Sequence, residues 1–314
     1  MIKLIIQIPC YNEEEVLGVT LCSLPQEVPG VDVVERLIID DGSTDRTVEV
    51  AVAHGVDHIV RLPHNQGLAK AFQAGLEACL RAGADIIVNT DADNQYCAED
   101  ISRLIEPILE GKAEIVIGAR PIEEIEHFSF IKKFLQKLGS WVVRIASKTD
   151  IPDASSGFRA MSREAAMRLN VFNNYTYTLE TVIQAGQKDI AITSVPIRVN
   201  EDLRPSRLVG SILSYIKKSA FTIIRIFAVY KPFRFFMTIG LSLFFLGFLI
   251  GLRFLYYYIT GDGSGHIQSL ILSSILLGMG FQTMLMAFFA DLLGVNRQLM
   301  EEMRYRLRKL EMDK

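Results

Sequence analysis

The chain has few cysteines and lacks a clustered pair of them. Its 314 residues include four cysteines, and none of them forms a Cys-x-x-Cys pair. This spacing argues against a zinc site or a disulfide framework, and we interpret all four as small core residues in a reducing compartment. The apolar run at residues 1–6 is too short for a signal peptide, so the globular part is expected to stay in the cytosol. The cysteines are Cys10, Cys22, Cys79 and Cys97.

A basic excess is also absent. The chain has 33 lysines and arginines against 36 aspartates and glutamates, a formal net charge of -3. Nucleic-acid binders usually carry a surplus of basic residues that neutralises phosphates, so no nucleic-acid partner is predicted. Charged residues are frequent up to about Arg234 and nearly absent from residues 235–290. A globular region followed by a membrane region is therefore expected, in line with about two structural units for this length.

Short apolar runs alternate with helical patterns over the first 120 residues. Ser43, Thr44 and Asp45 supply an N-cap before the second helix. This alternation predicts an α/β fold, a mostly parallel, Rossmann-like sheet with helices on both faces. The predicted strands are residues 4–8, 36–39, 58–61, 85–89 and 114–118, and the predicted helices are residues 13–24, 45–54, 68–82 and 98–109.

Polar clusters follow four of these elements, at residues 9–13, 40–45, 65–67 and 91–95. Each cluster alone is typical of an ordinary turn. Four of them at the carboxyl edge of one parallel sheet predict a single ligand site. Asp91, Asp93 and Gln95 come directly after a buried strand, and their oxygens suit a hard divalent cation that neutralises a departing diphosphate.

The order and spacing of these clusters resemble the nucleotide-sugar glycosyltransferases of family 2, which have the GT-A fold. Two further motifs, Gly118-Ala119-Arg120 and Ser155-Ser156-Gly157-Phe158-Arg159, are similar to those of the polyprenyl-phosphate branch. That branch includes dolichol-phosphate mannosyltransferases and bactoprenol glucosyltransferases. The resemblance covers about residues 1–230. It implies an inverting enzyme that moves one sugar from a nucleotide diphosphate sugar to a polyprenyl phosphate such as undecaprenyl phosphate.

The resemblance also implies roles for individual residues. Mg²⁺ or Mn²⁺ would be held by Asp91, Asp93 and Gln95. Asp93, Arg120 and Asp153 are the expected catalytic residues. Asp153 either deprotonates the acceptor or orients a basic residue, since a polyprenyl phosphate is already anionic. The expected nucleotide-sugar site comprises Pro9, Tyr11, Asn12, Glu13, Asp40, Asp41, Asn65, Gly67, Asp91 and Ala92, with turn capping as the alternative role of Asp40.

Four arginines are candidates for the acceptor phosphate, because guanidinium forks match phosphate oxygens. They are Arg120, Arg159, Arg204 and Arg207. The last two lie in a segment that departs from the mannosyltransferase pattern Arg-x-x-Gly-x-Ser-Lys-Leu. Glu201 stands where an arginine is expected, and Arg204 where a glycine is expected. This departure favours UDP-glucose as donor and leaves a GDP-mannose-dependent enzyme open as the alternative.

The C-terminal third predicts a membrane anchor after a cytosolic catalytic domain at residues 1–208. Residues 209–234 read as amphipathic interfacial helices, and residues 235–258 and 267–293 are each long enough to cross about 30 Å of hydrocarbon. Lysines and arginines flank both spans and are absent from the connection between them, so both flanks are predicted to face the cytosol from an inner or plasma membrane. Residues 294–314 form a charged helix that offers a homo-oligomer contact.

A second basic segment precedes these helices. Residues 130–144 combine lysines and arginine with Phe130, Phe134 and Trp141, a mixture that suits a membrane-surface helix. A plain solvated face is the alternative interpretation.

Two other function classes compete with a single-sugar transferase. A processive polysaccharide synthase usually has more spans and a Gln-x-x-Arg-Trp motif, whereas the single tryptophan, Trp141, follows Leu138-Gly139-Ser140. A non-catalytic sugar-nucleotide-binding scaffold is the other alternative. The intact set of Asp91, Asp93 and Gln95 argues against it.

Overall fold

The computed structural model describes residues 1–121, 149–171, 177–201, 227–261 and 263–312, together with residues 143, 144, 147, 221, 224 and 225. The chain divides into two compact units. The first comprises Met1–Ser219 and Met303–Lys314, and the second comprises Ala220–Glu302. The expected boundary after residue 208 and most of the predicted interfacial and membrane-surface helices lie outside the described residues.

The first unit is built around a seven-stranded sheet with the order β3-β2-β1-β4-β6-β5-β7. Strand β6 runs antiparallel to both of its neighbours, and every other pair is parallel. The mostly parallel α/β sheet expected from the sequence is therefore confirmed. The strands are β1 (Lys3–Cys10), β2 (Val33–Asp40), β3 (His58–Arg61), β4 (Ile86–Asn89), β5 (Ile115–Ala119), β6 (Arg159–Ser162) and β7 (Ile192–Pro196).

In the described part of the first unit, six helices accompany this sheet. The one at Leu68–Arg81 shows why they form: Ala69, Phe72 and Leu76 recur at helical spacing and are buried, so that one face packs on the sheet. The six are α1 (Leu17–Ser23), α2 (Thr47–Ala53), α3 (Leu68–Arg81), α4 (Ile101–Leu109), α5 (Arg163–Arg168) and α6 (Thr178–Gln187).

Three helix starts differ from the predictions, those of α1, α2 and α4. Helix α1 begins at Leu17 rather than at residue 13, because the preceding residues form a turn that is held by bonds to the loop after β2. Helix α2 begins at Thr47, after the expected cap. Asp45 nevertheless accepts a hydrogen bond from the Thr47 backbone N–H at 3.0 Å. Residues Ala98–Asp100 form a 3-10 turn before α4.

Two strands, β6 and β7, were not predicted, and one interpretation of the cysteines was wrong. Strand β6 is only four residues long and begins with an arginine, so it lacks the apolar run by which buried strands are recognised. Cys10 and Cys79 are buried core residues as expected. Cys22 is exposed and Cys97 is partly exposed.

Among the described residues, two helices are long and apolar enough to cross a membrane, α7 (Pro232–Ile259) and α8 (Ile267–Met312). The second unit contains α7 and the part of α8 up to Glu302. They pack closely through small residues. A Cβ on Gly280 would lie 2.6 Å from the Phe244 backbone nitrogen, and a Cβ on Gly247 would lie 2.9 Å from that of Leu277. The Ser273 hydroxyl donates to the Gly247 carbonyl at 2.7 Å. Small-residue seams of this kind allow apolar helices to approach closely.

Helix α8 does not break where the predicted span ends at residue 293, and the charged C-terminal segment continues the same helix to Met312. Its last turns belong to the first unit. There the buried Arg308 donates to the backbone carbonyls of Met167 and Leu169 at 3.0 and 2.9 Å and to Glu77 at 3.0 Å. This contact fastens the end of the chain to α3 and to the segment after α5.

Candidate active site

The carboxyl ends of β1, β2 and β4 bring the predicted polar clusters to one edge of the sheet. Asn12, just after β1, lies in the left-handed region with φ 53°, a conformation that asparagine tolerates. Its amide oxygen accepts from the Thr44 backbone N–H at 2.9 Å, and its own N–H donates to the Ser43 hydroxyl at 2.9 Å. The loops after β1 and β2 are therefore tied together.

Asp40 and Asp41 are buried at the end of β2 and hold neighbouring loops. Asp40 accepts from the Ser43 N–H at 2.9 Å, which is the turn-capping role. Asp41 accepts from the N–H groups of Gln66 and Gly67 at 2.7 and 2.8 Å. This places the loop that contains Asn65 beside the end of β2. Gly42, with φ +71°, permits the approach, because a Cβ there would lie 2.5 Å from the His64 backbone.

The remaining donor-side residues differ in how far they face solvent. Tyr11 and Asn65 are exposed, and Pro9 is partly exposed. Glu13 is partly buried, and its backbone N–H donates to the Thr47 hydroxyl at 2.8 Å. Ala92 is buried, and its carbonyl accepts from the Thr20 hydroxyl at 2.7 Å. Tyr11 and Asn65 are therefore the most solvent-exposed members of this set.

The acidic turn from Asp91 to Gln95 follows β4 and is held from two sides. Asn94 has φ 55°, and its side chain accepts from Ser23 of α1 at 3.0 Å. On the other side, the Asn200 backbone N–H donates to the Gln95 carbonyl at 2.9 Å. Asp93 accepts from the Gln95 N–H at 3.2 Å. The turn is therefore fixed by hydrogen bonds from both sides and by one bond within it.

Two carboxylates lie together in this turn and repel each other. Burial and the neighbouring charge of Asp93 raise the pKa of Asp91 to about 6. Within the described residues, no group of three or more histidine, cysteine, aspartate or glutamate side chains is arranged to hold a metal ion. A pair of carboxylates with open positions still fits Mg²⁺ or Mn²⁺, which are commonly bound by one or two carboxylates together with substrate phosphates and waters.

Gly157 lies directly against the first of these carboxylates. A Cβ at this position would lie 2.9 Å from both carboxylate oxygens of Asp91. Any side chain at this position would therefore collide with the carboxylate. The fit of the acidic turn to a cation depends on this bare backbone as well as on the two aspartates.

Arg120 and Asp153 form an almost buried ion pair beside the acidic turn. The guanidinium of Arg120 donates to the two oxygens of Asp153 at 2.7 and 3.1 Å, and to the Ser155 hydroxyl at 2.9 Å. Burial acts to raise the pKa of Asp153, but the hydrogen bonds and charge of Arg120 outweigh it and lower that pKa. Asp153 is therefore ionised at neutral pH and engaged with an arginine, as the orienting alternative requires.

The four arginines expected at the acceptor phosphate separate in the structure. The Arg120 side chain is 13% exposed, whereas Arg159 is 0% exposed. Arg159 donates to the backbone carbonyls of Ser156 and Thr178 and to the Thr181 hydroxyl. We therefore reassign Arg159 to holding the turn before β6, because its guanidinium is enclosed by protein. Arg204 and Arg207 lie outside the described residues.

Several residues under the site were missed by sequence reasoning. Asn89 at the end of β4 accepts from the buried Gln7 amide at 3.0 Å, and donates to the Gly157 carbonyl at 2.9 Å and to the Tyr177 hydroxyl at 2.8 Å. Tyr96 accepts from the Gly157 N–H at 3.0 Å. Polar residues within apolar strands were the available signal, since buried polar groups are almost always hydrogen-bonded.

A family model described as "Glycosyl transferase family 2" matches residues 5–169, slightly more than half of the chain. Among curated proteins, the chain is 29% identical over 217 residues to an undecaprenyl-phosphate mannosyltransferase of Micrococcus luteus, covering 66% of this chain and 87% of the relative. It is 29% identical over 213 residues to a UDP-N-acetylglucosamine–dolichyl-phosphate N-acetylglucosaminyltransferase of Methanococcus voltae, covering 61% of this chain and 83% of that relative.

A solved structure supports the fold. Glucosyl-3-phosphoglycerate synthase from Mycobacterium tuberculosis, in complex with Mn²⁺, UDP and glucosyl-3-phosphoglycerate, is similar with a TM-score of 0.56 and 21% sequence identity, covering 72% of this chain and 78% of that chain. The chain therefore belongs to glycosyl transferase family 2. It is a glycosyltransferase with a GT-A-like fold, which confirms the family expected from its motifs.

Proposed function

We propose that this protein transfers one sugar, with inversion, from a nucleotide diphosphate sugar to a polyprenyl phosphate at a membrane surface. The observation that carries the proposal is the meeting of two opposite charges at one sheet edge. The acidic turn of Asp91 and Asp93 suits a cation and the diphosphate that accompanies it. The Arg120 guanidinium, whose charge acts on Asp91, suits a second anion.

On the donor side, Asp91, Asp93 and Gln95 are the proposed ligands of Mg²⁺ or Mn²⁺. When bound, the metal supplies Lewis acidity to the departing nucleoside diphosphate. Tyr11, Asn65 and the loops tied by Asn12 and Asp41 are proposed to receive the nucleoside. Because Asp41 already accepts two backbone N–H groups, its main contribution is to hold the loop that bears Asn65.

On the acceptor side, Arg120 is proposed to contact the polyprenyl phosphate while Asp153 fixes the direction of its guanidinium. A phosphate monoester is anionic at neutral pH, so it attacks without first losing a proton to a base. The charge and geometry of the pair therefore matter more than proton transfer. Arg204 and Arg207 remain proposed acceptor contacts on sequence grounds alone.

Membrane attachment through α7 and α8 fits a lipid acceptor. Helix α7 has 28 residues, a length of about 42 Å at the α-helical rise and enough to cross about 30 Å of hydrocarbon. Basic residues flank the pair on both outer ends, so we propose that the catalytic unit and the C-terminus face the cytosol. A homo-oligomer remains a prediction that rests on the charged C-terminal helix.

UDP-glucose is the proposed donor, and GDP-mannose is the second candidate. The first is favoured by Glu201 and Arg204, where the mannosyltransferase pattern has arginine and glycine. The second is favoured by the similarity to the Micrococcus luteus mannosyltransferase. The test offers radiolabelled UDP-glucose, UDP-N-acetylglucosamine and GDP-mannose to the purified full chain with undecaprenyl phosphate and Mg²⁺ or Mn²⁺. Label extracted into organic solvent identifies the donor.

The same assay tests the site. Asp93→Asn is expected to abolish the lipid-linked product, and the matched variant Asp57→Asn is expected to retain it. Asp57 precedes β3, at the opposite edge of the sheet, and accepts from the Arg36 N–H at 2.8 Å. Full activity of Asp93→Asn would refute the metal assignment. Absence of product with every donor and with the wild-type chain would refute the proposed function itself.

A further inference from the structure

Groups outside the proposed ligand set lie against the Asp91 carboxylate. Gly157 faces both of its oxygens, at a distance where a Cβ would lie 2.9 Å away. The Tyr96 hydroxyl accepts from the Gly157 N–H at 3.0 Å and lies near enough to the same carboxylate to lower its pKa. One phenol therefore links the turn after β4 to the turn before β6.

The direction of these bonds follows from the chemistry of a phenol. The hydroxyl has one proton to donate. Because the Gly157 N–H donates to the phenol oxygen, the phenol's own proton is left for another acceptor, and the nearby Asp91 carboxylate suits that role. The Tyr96 ring is 4% exposed and stacks on Phe158 with a centroid distance of 5.1 Å and an interplanar angle of 11°. Burial and stacking therefore limit the positions that the Tyr96 hydroxyl can take.

We propose that Tyr96, with the bare backbone of Gly157, is a positioning residue that sets the orientation of Asp91 as a metal ligand. This inference rests on the proposed metal site, and it adds the residues that orient one of the proposed ligands. The physical reason is that a carboxylate on a short side chain rotates unless a second bond fixes it. Outer hydrogen bonds to metal ligands commonly change metal affinity by about 10–100-fold.

A competing interpretation is that Tyr96 only satisfies a buried N–H group. The two interpretations differ in what they predict for metal binding. A purely structural phenol affects stability and leaves the affinity of the folded protein for Mn²⁺ unchanged. A positioning phenol changes that affinity even at temperatures where the variant is fully folded.

The experiment uses the full chain in detergent and measures Mn²⁺ binding by electron paramagnetic resonance, with Mn²⁺ alone and with UDP or GDP present. Tyr96→Phe keeps the stacked ring and removes the hydroxyl. We expect its Mn²⁺ affinity to fall by about 10–100-fold. Gly157→Ala, which pushes on the carboxylate from the other side, is expected to weaken Mn²⁺ binding in the same way.

Tyr177→Phe is the matched control. Tyr177 is equally buried, and its hydroxyl contacts Asn89 and the Gly157 carbonyl. The Tyr177→Phe variant is expected to keep its Mn²⁺ affinity within about twofold of the wild type, since none of these contacts is a proposed ligand. Thermal unfolding of each variant defines the temperature range for the titrations, so that only folded protein is compared.

The possible results distinguish the proposed metal site from the proposed role of Tyr96. Wild-type protein that binds no Mn²⁺, with or without nucleotide, overturns the metal site and this inference with it. Wild-type binding that is matched by Tyr96→Phe overturns the role of Tyr96 alone and leaves the proposed function standing. Equal weakening by Tyr96→Phe and Tyr177→Phe also overturns it, because the effect would then belong to the buried network in general.

Discussion

Replacing Arg120 by methionine tests the electrostatics of the acceptor side directly. The substitution keeps most of the side-chain volume and removes the counter-ion of Asp153, whose side chain is 1% exposed. A buried carboxylate without its counter-ion lowers the free energy of unfolding by more than the intact ion pair had raised it. We therefore expect the free energy of unfolding of the catalytic unit to fall by about 3–5 kcal/mol at neutral pH.

The size of this effect should depend on pH, and its sign can be worked out. In the wild type, burial raises the pKa of Asp153 and Arg120 lowers it further than burial raises it. A lowered folded-state pKa contributes stability above the unfolded pKa of about 3.9, and that contribution is lost as pH falls through the folded value. Arg120→Met removes the main group that lowers the pKa of Asp153. Asp153 then takes up a proton on acidification, and the free-energy cost of burying its charge is lost.

The assay is urea unfolding of the full chain in detergent, followed by the protease resistance of the catalytic unit. The difference between wild type and Arg120→Met is expected to be largest at neutral pH and to shrink toward about pH 5. Arg144→Met is the control, because Arg144 pairs with an Asp150 side chain that is 94% exposed. Arg144→Met should lower the free energy of unfolding by less than about 1 kcal/mol. A pH-independent loss, or one as small as the control, would refute the description of Arg120 and Asp153 as a desolvated ion pair.

Three further predictions concern other parts of the chain. Gly280→Leu should lower the stability of the α7–α8 hairpin by about 1–3 kcal/mol in an SDS titration. Gly278→Leu should leave it unchanged, because nothing lies within 4 Å of a Cβ at that position. Equal effects of the two substitutions would contradict close packing of the helices at Gly280. Arg308→Ala should lower urea stability by about 1–3 kcal/mol because it unpairs buried acceptors, and exposed Lys309→Ala should leave it unchanged. Burial and the adjacent Asp93 carboxylate raise the pKa of Asp91 to about 6. Mn²⁺ affinity should therefore fall by about tenfold for each pH unit below that value, because the metal competes with a proton. An Mn²⁺ affinity that does not change with pH would count against Asp91 as a ligand.

Much of the fold follows from local pattern. Strands β1 to β5 lie within two or three residues of their predicted bounds, because buried parallel strands are continuous apolar runs. Helix α3 matches residues 68–82 to within a residue, since its apolar spacing is unambiguous. The antiparallel β6 escaped prediction because its four residues begin with a buried arginine, whose guanidinium is hydrogen-bonded by the turn before β6 and by α6.

The candidate site was predictable as a set of positions and much less as a set of contacts. The positions of Asp91, Asp93 and Arg120 follow from motifs after strands. The sequence gives no sign that Arg159 is enclosed by carbonyls while Arg120 keeps part of its side chain exposed. That difference depends on residues some twenty positions apart in the chain meeting around one guanidinium.

The sequence by itself determined the class of this protein: a parallel α/β sheet, a carboxyl edge lined by acidic and amide residues, and an apolar C-terminal region. These properties are local, since periodicity and strand-end chemistry need only neighbouring residues. The tertiary structure decided which charges meet. It paired Arg120 with Asp153, buried Arg159, placed Gly157 against Asp91, and packed Arg308 against Glu77 and two backbone carbonyls. Those outcomes depend on long-range packing, because burial and a partner together decide whether a charge is available to a substrate or consumed by the fold.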